Sequence, residues 1–303
     1  MVLAQILVDV AVPVSVACLM LLIGMTAGQE GRPTRAQMTS LAVGSAAQFL
    51  VLPLVAVAII LVLRPEPLAA TAVALLAFAP AGTLSNYFTL INRGRVALSI
   101  CLTAVGTLVY AAGFPVLAMA LRGLVDAELA GLSVVTLAGD LAVTMLLPVL
   151  AGAWIGRRCP GLVARHRGGL EAAASLLVLP LLALSLWAGR AELWASLLPI
   201  AMVATAFTLG ALAVGWLAGR LLRPADRTTV AIECATRNVP VVVVLSDGVL
   251  APSAALAAAS GIFLCQTVHL LAFSLLTREA VPGSRASPTA GAGPGPDGRA
   301  KGP

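Results

Sequence analysis

The chain has 303 residues, of which 60% are hydrophobic and 11% charged, under half the charged share of an ordinary soluble domain. That balance excludes a soluble globular fold. A net charge of +6 would point to nucleic acid in a soluble protein, but here the basic residues fall in short stretches between apolar runs, where they report membrane topology. No nucleic-acid partner is expected.

A spanning helix needs about 20 mostly apolar residues. Apolar runs separated by charge and proline clusters predict nine of them, near 5–27, 38–63, 67–92, 95–121, 129–157, 169–188, 192–221, 227–247 and 252–277. We number these segments 1 to 9. The expected fold is an all-α integral membrane protein surrounded by lipid, with residues 1–278 forming one unit. No Lys or Arg precedes segment 1, which reads as an uncleaved span and not as a signal peptide. Residues 279–303 are rich in Pro, Gly, Ser and Ala and cannot bury a core, so a disordered tail is expected. Connections holding Arg32, Arg93, Arg157, Arg220 and the tail carry 15 of the 19 Lys and Arg, against three (Arg64, Arg122 and Arg190) on the opposite side. This split predicts a multi-pass protein of the cell membrane with its N-terminus outside and its tail in the cytoplasm.

If one half of the molecule lacks a first helix, segments 1–4 pair with segments 6–9 and segment 5 stands alone. Segment 3 then runs opposite to segment 8, as in an inverted-topology repeat. Both are interrupted: segment 3 carries Pro80-Ala81-Gly82-Thr83-Leu84-Ser85-Asn86, and segment 8 carries Glu233-Cys234-Ala235-Thr236-Arg237-Asn238-Val239-Pro240. Proline and glycine free backbone groups that the bilayer core cannot satisfy, so these stretches must face protein, ions or a wet cavity. Paired broken helices in two halves mark a midplane transport site. Two plain proline kinks would leave the polar residues of both stretches unaccounted for.

Glu233 and Arg237 add to this, because a charge at the centre of a membrane helix costs about 2.5–3.5 kcal/mol on insertion scales. Four residues apart, they share a face and can pair wherever the backbone between them stays helical. The alternative is that Glu233 ligates a cation and Arg237 is a fixed counter-charge or a binder of anionic substrate. Thr83 and Asn238, polar residues of the two interruptions, are grouped with Arg237 in that role. A small hard cation needs several oxygens. Ser85 and Asn86 offer a hydroxyl and an amide carbonyl, and Ser99 and Thr103 lie one turn apart on one face of segment 4. With Glu233 they make a five-oxygen set.

Asp140 in segment 5 is a further intramembrane carboxyl, either hydrogen-bonded in place or a protonatable coupling group. Glu171 is expected near a helix start, His166 in a basic loop and His269 as a packing or hydrogen-bonding residue. The five cysteines show no CxxC pair and read as buried free thiols. No GxSG, HExxH or paired Asp motif falls in a span, so neither an enzyme nor an organic cofactor is expected. A channel or sensor fits the doubled interruption less well than a carrier with alternating access.

These residues resemble those of the bile acid:sodium symporter family. Residues 80–86, then Arg93-Gly94, Val96-Ala97-Leu98-Ser99, Thr103 and Thr107, are similar to the family's PGGxxSN segment, basic turn and Ser/Thr-bearing helix. Glu233 with Asn238 is similar to its E-x-G-x-Q-N crossing, and Ala46-Ala47-Gln48-Phe49 with Pro53 to its AQ(F/Y)xxMP helix. The resemblance implies a sodium-driven symporter of an organic anion, bile-acid-like or a small carboxylate. It implies a panel of segments 1, 5 and 6 beside a core of the other six, in which segments 3 and 8 cross. One sodium ion would be held by Ser85, Asn86, Ser99, Thr103 and Glu233, and a second by Gln48, Glu233, carbonyls of segment 8 and the motif's glutamine. That glutamine is Arg237 here, and the motif's glycine is Ala235. A guanidinium offers only donors and keeps its charge, so Arg237 is expected to stand in the second ion's place, leaving one sodium coupled or none. The rival is a carrier coupled to protons through Glu233 or Asp140, or one with no coupling.

Overall fold

In the computed structural model residues 2–30, 34–82, 84–121, 139–246 and 250–279 are described, and they are almost entirely helical. In chain order the helices are α1 (Val2–Ala27), α2 (Arg35–Leu63), α3 (Pro67–Phe78), α4 (Leu84–Ile91) and α5 (Val96–Leu121). There follow α6 (Gly139–Arg158), α7 (Pro160–Ala188), α8 (Arg190–Ala195) and α9 (Leu197–Leu221). The chain continues through α10 (Pro224–Ala235), α11 (Val239–Leu245) and α12 (Pro252–Glu279). Among the described residues six helices are long and apolar enough to cross a membrane: α1, α2, α5, α6, α9 and α12.

The nine apolar segments are therefore not nine continuous helices. Segments 3 and 8 each divide into two short helices, α3 with α4 and α10 with α11. Segment 7 is cut at Ser196, because Pro199 can be housed only in the first turn of a helix and α8 must end before it. Segment 6 begins nine residues earlier than expected, at Pro160, whose fixed φ suits a first helical position. His166 and Glu171 consequently lie inside α7, and not in a loop or at a helix start. The first part of segment 5 and residues 280–303 of the expected tail lie outside the described residues. The thiols also differ from expectation: Cys234 is buried, whereas Cys18 and Cys159 are exposed.

Among the described residues three spans contain a π-turn, at Leu7–Ala11, Ala47–Val51 and Ala142–Leu146. Each is followed by a proline: Pro13, Pro53 and Pro148. The carbonyl four residues before a helical proline loses its donor and collides with the ring. In all three cases that carbonyl, of Asp9, Phe49 or Thr144, lies in the π-turn, where the widened backbone accommodates it. The start of α2 is fixed by a capping box in which Thr34 Oγ1 accepts from Gln37 N at 3.3 Å and Thr34 N donates to Gln37 Oε1 at 2.7 Å.

Helices α1 and α6 run parallel in intimate contact. Gly24 and Gly28 of α1 face α6, and Gly152 and Gly156 of α6 face α1, so each helix presents two small residues four apart to the other. A Cβ on Gly152 would run into the carbonyl of Leu21, and one on Gly24 into that of Val149. Without a hydrophobic drive between helices in lipid, such close approach is what holds them. Gly152→Leu is expected to lose about 3 kcal/mol of stability, measured as a fall in monodisperse yield and melting temperature in detergent. Helix α7 packs on α1, while α9 packs against α10 and α12.

Candidate functional site

The two interruptions meet. Helix α3 stops at Phe78 and the chain runs extended from Ala79 (φ −73°, ψ 140°); α10 stops at Ala235 and the chain is extended at Thr236 and Asn238. Ala81 and Arg237 form an antiparallel bridge. Gly82 N donates to Thr236 O at 3.0 Å and Asn238 N to Pro80 O at 2.8 Å. The other edge of the second stretch is clamped by Gln266 of α12, whose Oε1 accepts from Arg237 N at 2.8 Å and whose Nε2 donates to Arg237 O at 3.2 Å. Backbone groups freed by two broken helices thus satisfy one another inside an apolar molecule. Gly82 sits where a Cβ would lie 3.2 Å from Arg237 O and from Asn238 Cα.

Beside this crossing, oxygens of both halves converge on Glu233, which is fully buried. Ser99 Oγ donates to Glu233 Oε1, and Thr103 Oγ1 lies 3.3 and 3.2 Å from the two carboxylate oxygens. Ser85 Oγ is 3.3 Å from Ser99 Oγ and 3.4 Å from Thr103 Oγ1. Asn86 Oδ1, one residue on from Ser85, is buried with no hydrogen-bond partner. The hydrogen bonds to Glu233 come from hydroxyls and none from a cationic side chain. Hydroxyl hydrogen bonds normally close to about 2.7–2.8 Å, so most of this set is spaced too widely to be serving itself. A cation held at about 2.3–2.6 Å from its oxygens places neighbouring ligands about 3.3–3.7 Å apart at right angles. The spacings around Ser85 and Thr103 lie close to that range, whereas Ser99 is hydrogen-bonded directly to Glu233.

Arg237 does not pair with Glu233 along a helix, because the backbone leaves the helix at Thr236 and turns the guanidinium the other way. It is 1% exposed. Nε donates to Leu76 O at 3.4 Å, and Nη2 to Ala77 O at 3.2 Å, to Ala79 O and to the Tyr110 hydroxyl at 2.8 Å. Nη1 donates to Gln48 Oε1 at 3.2 Å. These carbonyls close the C-terminal end of α3, where the helix dipole carries about half a negative charge. Gln48 is therefore gathered around Arg237, not around Glu233. Tyr110, which also donates to Gln48 O at 2.9 Å, and Gln266 escaped the sequence reading; a lone buried amide or phenol in an apolar span was the available signal.

Asn238 is 3% exposed and its Nδ2 has no hydrogen-bond partner. Thr83 lies outside the described residues. Asp140 is exposed in α6, and its carbonyl accepts from Thr144 Oγ1. His269 Nδ1 is 2.6 Å from Cys265 O, as a hydrogen-bonding role predicts. Two hollows flank Val239, Pro240 and Phe263. One, of about 40 Å³, lies between α1, α7, α11 and α12 and presents Ser15, Ser185 and Ser260. The other, of about 20 Å³, presents Asn238, Gln266 and Gly82. Both are small, with room for a water or so.

Apolar spanning helices with two broken helices crossing among them define a multi-pass membrane protein. The sequence profile of the Sodium Bile acid symporter family matches residues 13–218, and the chain belongs to that family. Among curated proteins it is similar to two from Oryza sativa subsp. japonica. One is the probable sodium/metabolite cotransporter BASS1, chloroplastic, 36% identical over 152 residues, covering 50% of this chain and 36% of that protein. The other is the probable sodium/metabolite cotransporter BASS2, chloroplastic, 33% identical over 141 residues, covering 46% of this chain and 32% of that protein. The match spans about a third of the length of these relatives. The family match ends before α10, so Glu233 and Arg237 lie beyond it.

Proposed function

We propose that the chain is a sodium-coupled carrier of an organic anion that works by alternating access, with one sodium ion bound at Glu233. The observation that carries this is the buried Glu233 carboxylate with the hydroxyls of Ser85, Ser99 and Thr103 gathered at it, and the buried, unpartnered Asn86 Oδ1 on the residue after Ser85. Family membership and the names of the rice relatives support sodium as the ion. The two broken pairs, α3–α4 and α10–α11, stand for segments 3 and 8 of a nine-segment inverted repeat. Helices α1, α6 and α7, which pack on one another, stand for its panel, and the basic ends near Arg95 and Arg223 for its cytoplasmic side.

Arg237 sets the stoichiometry at one. Its guanidinium takes up three main-chain carbonyls, the Gln48 amide oxygen and the Tyr110 hydroxyl, a set of oxygens that would suit a hard cation. A fixed charge there repels a second ion. Asn238, with its free Nδ2 next to the smaller hollow, is the group we assign to the substrate.

Purified protein is expected to melt higher in sodium than in potassium buffer, by the stabilisation a ligand of the folded state confers: about 2.7 kcal/mol at a hundred times its Kd. A screen of organic acids in both buffers then identifies the anion as a sodium-dependent hit, and reconstituted vesicles should concentrate it under a sodium gradient. Equal melting in the two buffers, or uptake that merely equilibrates, refutes the proposal.

A further inference from the structure

The oxygens do not stop at Ser99. Thr89 Oγ1, one turn along α4 from Ser85, donates to Ser99 Oγ at 3.4 Å. Past Thr89 the Asn92-Arg93-Gly94 turn folds inward, with Arg93 at φ 57° and Gly94 N donating to Thr89 O at 2.8 Å. A Cβ on Gly94 would lie 2.7 Å from Thr229 Oγ1 and 2.8 Å from Thr89 Cγ2, so the turn seats directly on both threonines. Thr229 stands one turn before Glu233 on α10, and its Oγ1 accepts from Arg95 N at 2.7 Å. One turn further lies Asp226, whose Oδ2 accepts from Ser40 Oγ at 2.8 Å and whose Oδ1 is 3.2 Å from Arg95 Nε.

Asp226, Thr229 and Glu233 therefore share one face of α10, all at 1% exposure or less, while Arg95 is 26% exposed. A first-turn aspartate can be explained by the helix dipole alone, but that role requires neither burial nor an arginine. A buried carboxylate is costly to keep unless a cation accompanies it. The cation here is a partly exposed side chain.

Resting on the reading of Glu233 as a cation ligand, we propose that Asp226 is a second, transient cation station. The ion held at Glu233 reaches the water at the Arg95 face by way of Ser99, Thr89 and Thr229, and Arg95 fills the station as a tethered plug until the ion displaces it. The turn at Gly94 is the part that must lift. Such a route needs oxygens that bind weakly enough to let go, which neutral hydroxyls provide.

The test uses the full-length protein in vesicles with equal sodium on both sides, following exchange of radioactive sodium, together with the sodium-induced melting shift of the same samples. Thr89→Val should leave the melting shift in place and slow exchange about tenfold, the rate equivalent of one lost hydroxyl contact. Thr89→Ser, which keeps the hydroxyl, should restore the rate, and Arg95→Gln should exchange faster than the native chain. Exchange at the native rate in Thr89→Val, or no gain in Arg95→Gln, overturns the route while leaving the Glu233 site standing. Loss of the melting shift in Thr89→Val overturns it too, by making Thr89 a ligand of the first site. Absence of any sodium shift in the native chain defeats the underlying reading instead.

Discussion

Glu233→Gln is expected to lose the sodium-induced rise in melting temperature and all gradient-driven uptake, while the protein folds normally in potassium. The amide has the shape of the carboxylate and keeps an oxygen toward Ser99 and Thr103, so the packing of the crossing is preserved. What disappears is the charge. At about 4 Å and an effective dielectric near 20, a unit charge contributes about 4 kcal/mol to holding a cation, about a thousandfold in affinity. Removing an unpaired buried carboxylate also lifts its desolvation cost. Melting in potassium should therefore stay level or rise, in contrast to a variant that is merely damaged. A Gln variant that still responds to sodium would remove Glu233 from the ion site.

Arg237→Gln should act in the opposite direction. The guanidinium satisfies the carbonyls of Leu76, Ala77 and Ala79, the Gln48 amide oxygen and the Tyr110 hydroxyl. A glutamine amide can reach at most a few of these. Each buried acceptor left over costs about 1–3 kcal/mol, so melting in potassium should fall markedly. The abandoned oxygens then invite a mobile cation. Sodium should stabilise this variant more than the native chain, and the Hill slope for sodium should climb from about one towards two. An unchanged slope together with an unchanged sodium response would show that Arg237 does not hold a cation's place.

The broken helices were legible because Pro80, Gly82 and Pro240 stand among polar residues in otherwise apolar runs, where nothing but function or a partner can excuse them. That Ser99 and Thr103 lie side by side was legible for a second reason: helical spacing alone aligned them. The same arithmetic held only conditionally at Arg237. Four residues from Glu233 means one face only if the helix continues, and the departure from it at Thr236 was enough to send the side chain to the C-terminal end of α3. Gln266 and Tyr110 gave no such sign, since each is a single polar residue in an apolar run, and Asp226 gave none because it stands at a polar helix start where a charge needs no partner. The start of α7 was missed because an apolar window senses what a bilayer would cover, whereas residues 160–168 are polar and helical at once.

The pairing of Ala81 with Arg237 restricts how the molecule can move. Two main-chain hydrogen bonds between the extended stretches, together with the bonds of the Arg237 guanidinium to Ala77 O and Ala79 O, would have to break for the halves to part, in a medium that offers no replacements. Prying the crossing open is thus the expensive path. Any movement of the carrier proposed above is therefore expected to carry the crossing as one piece, its two strands still joined.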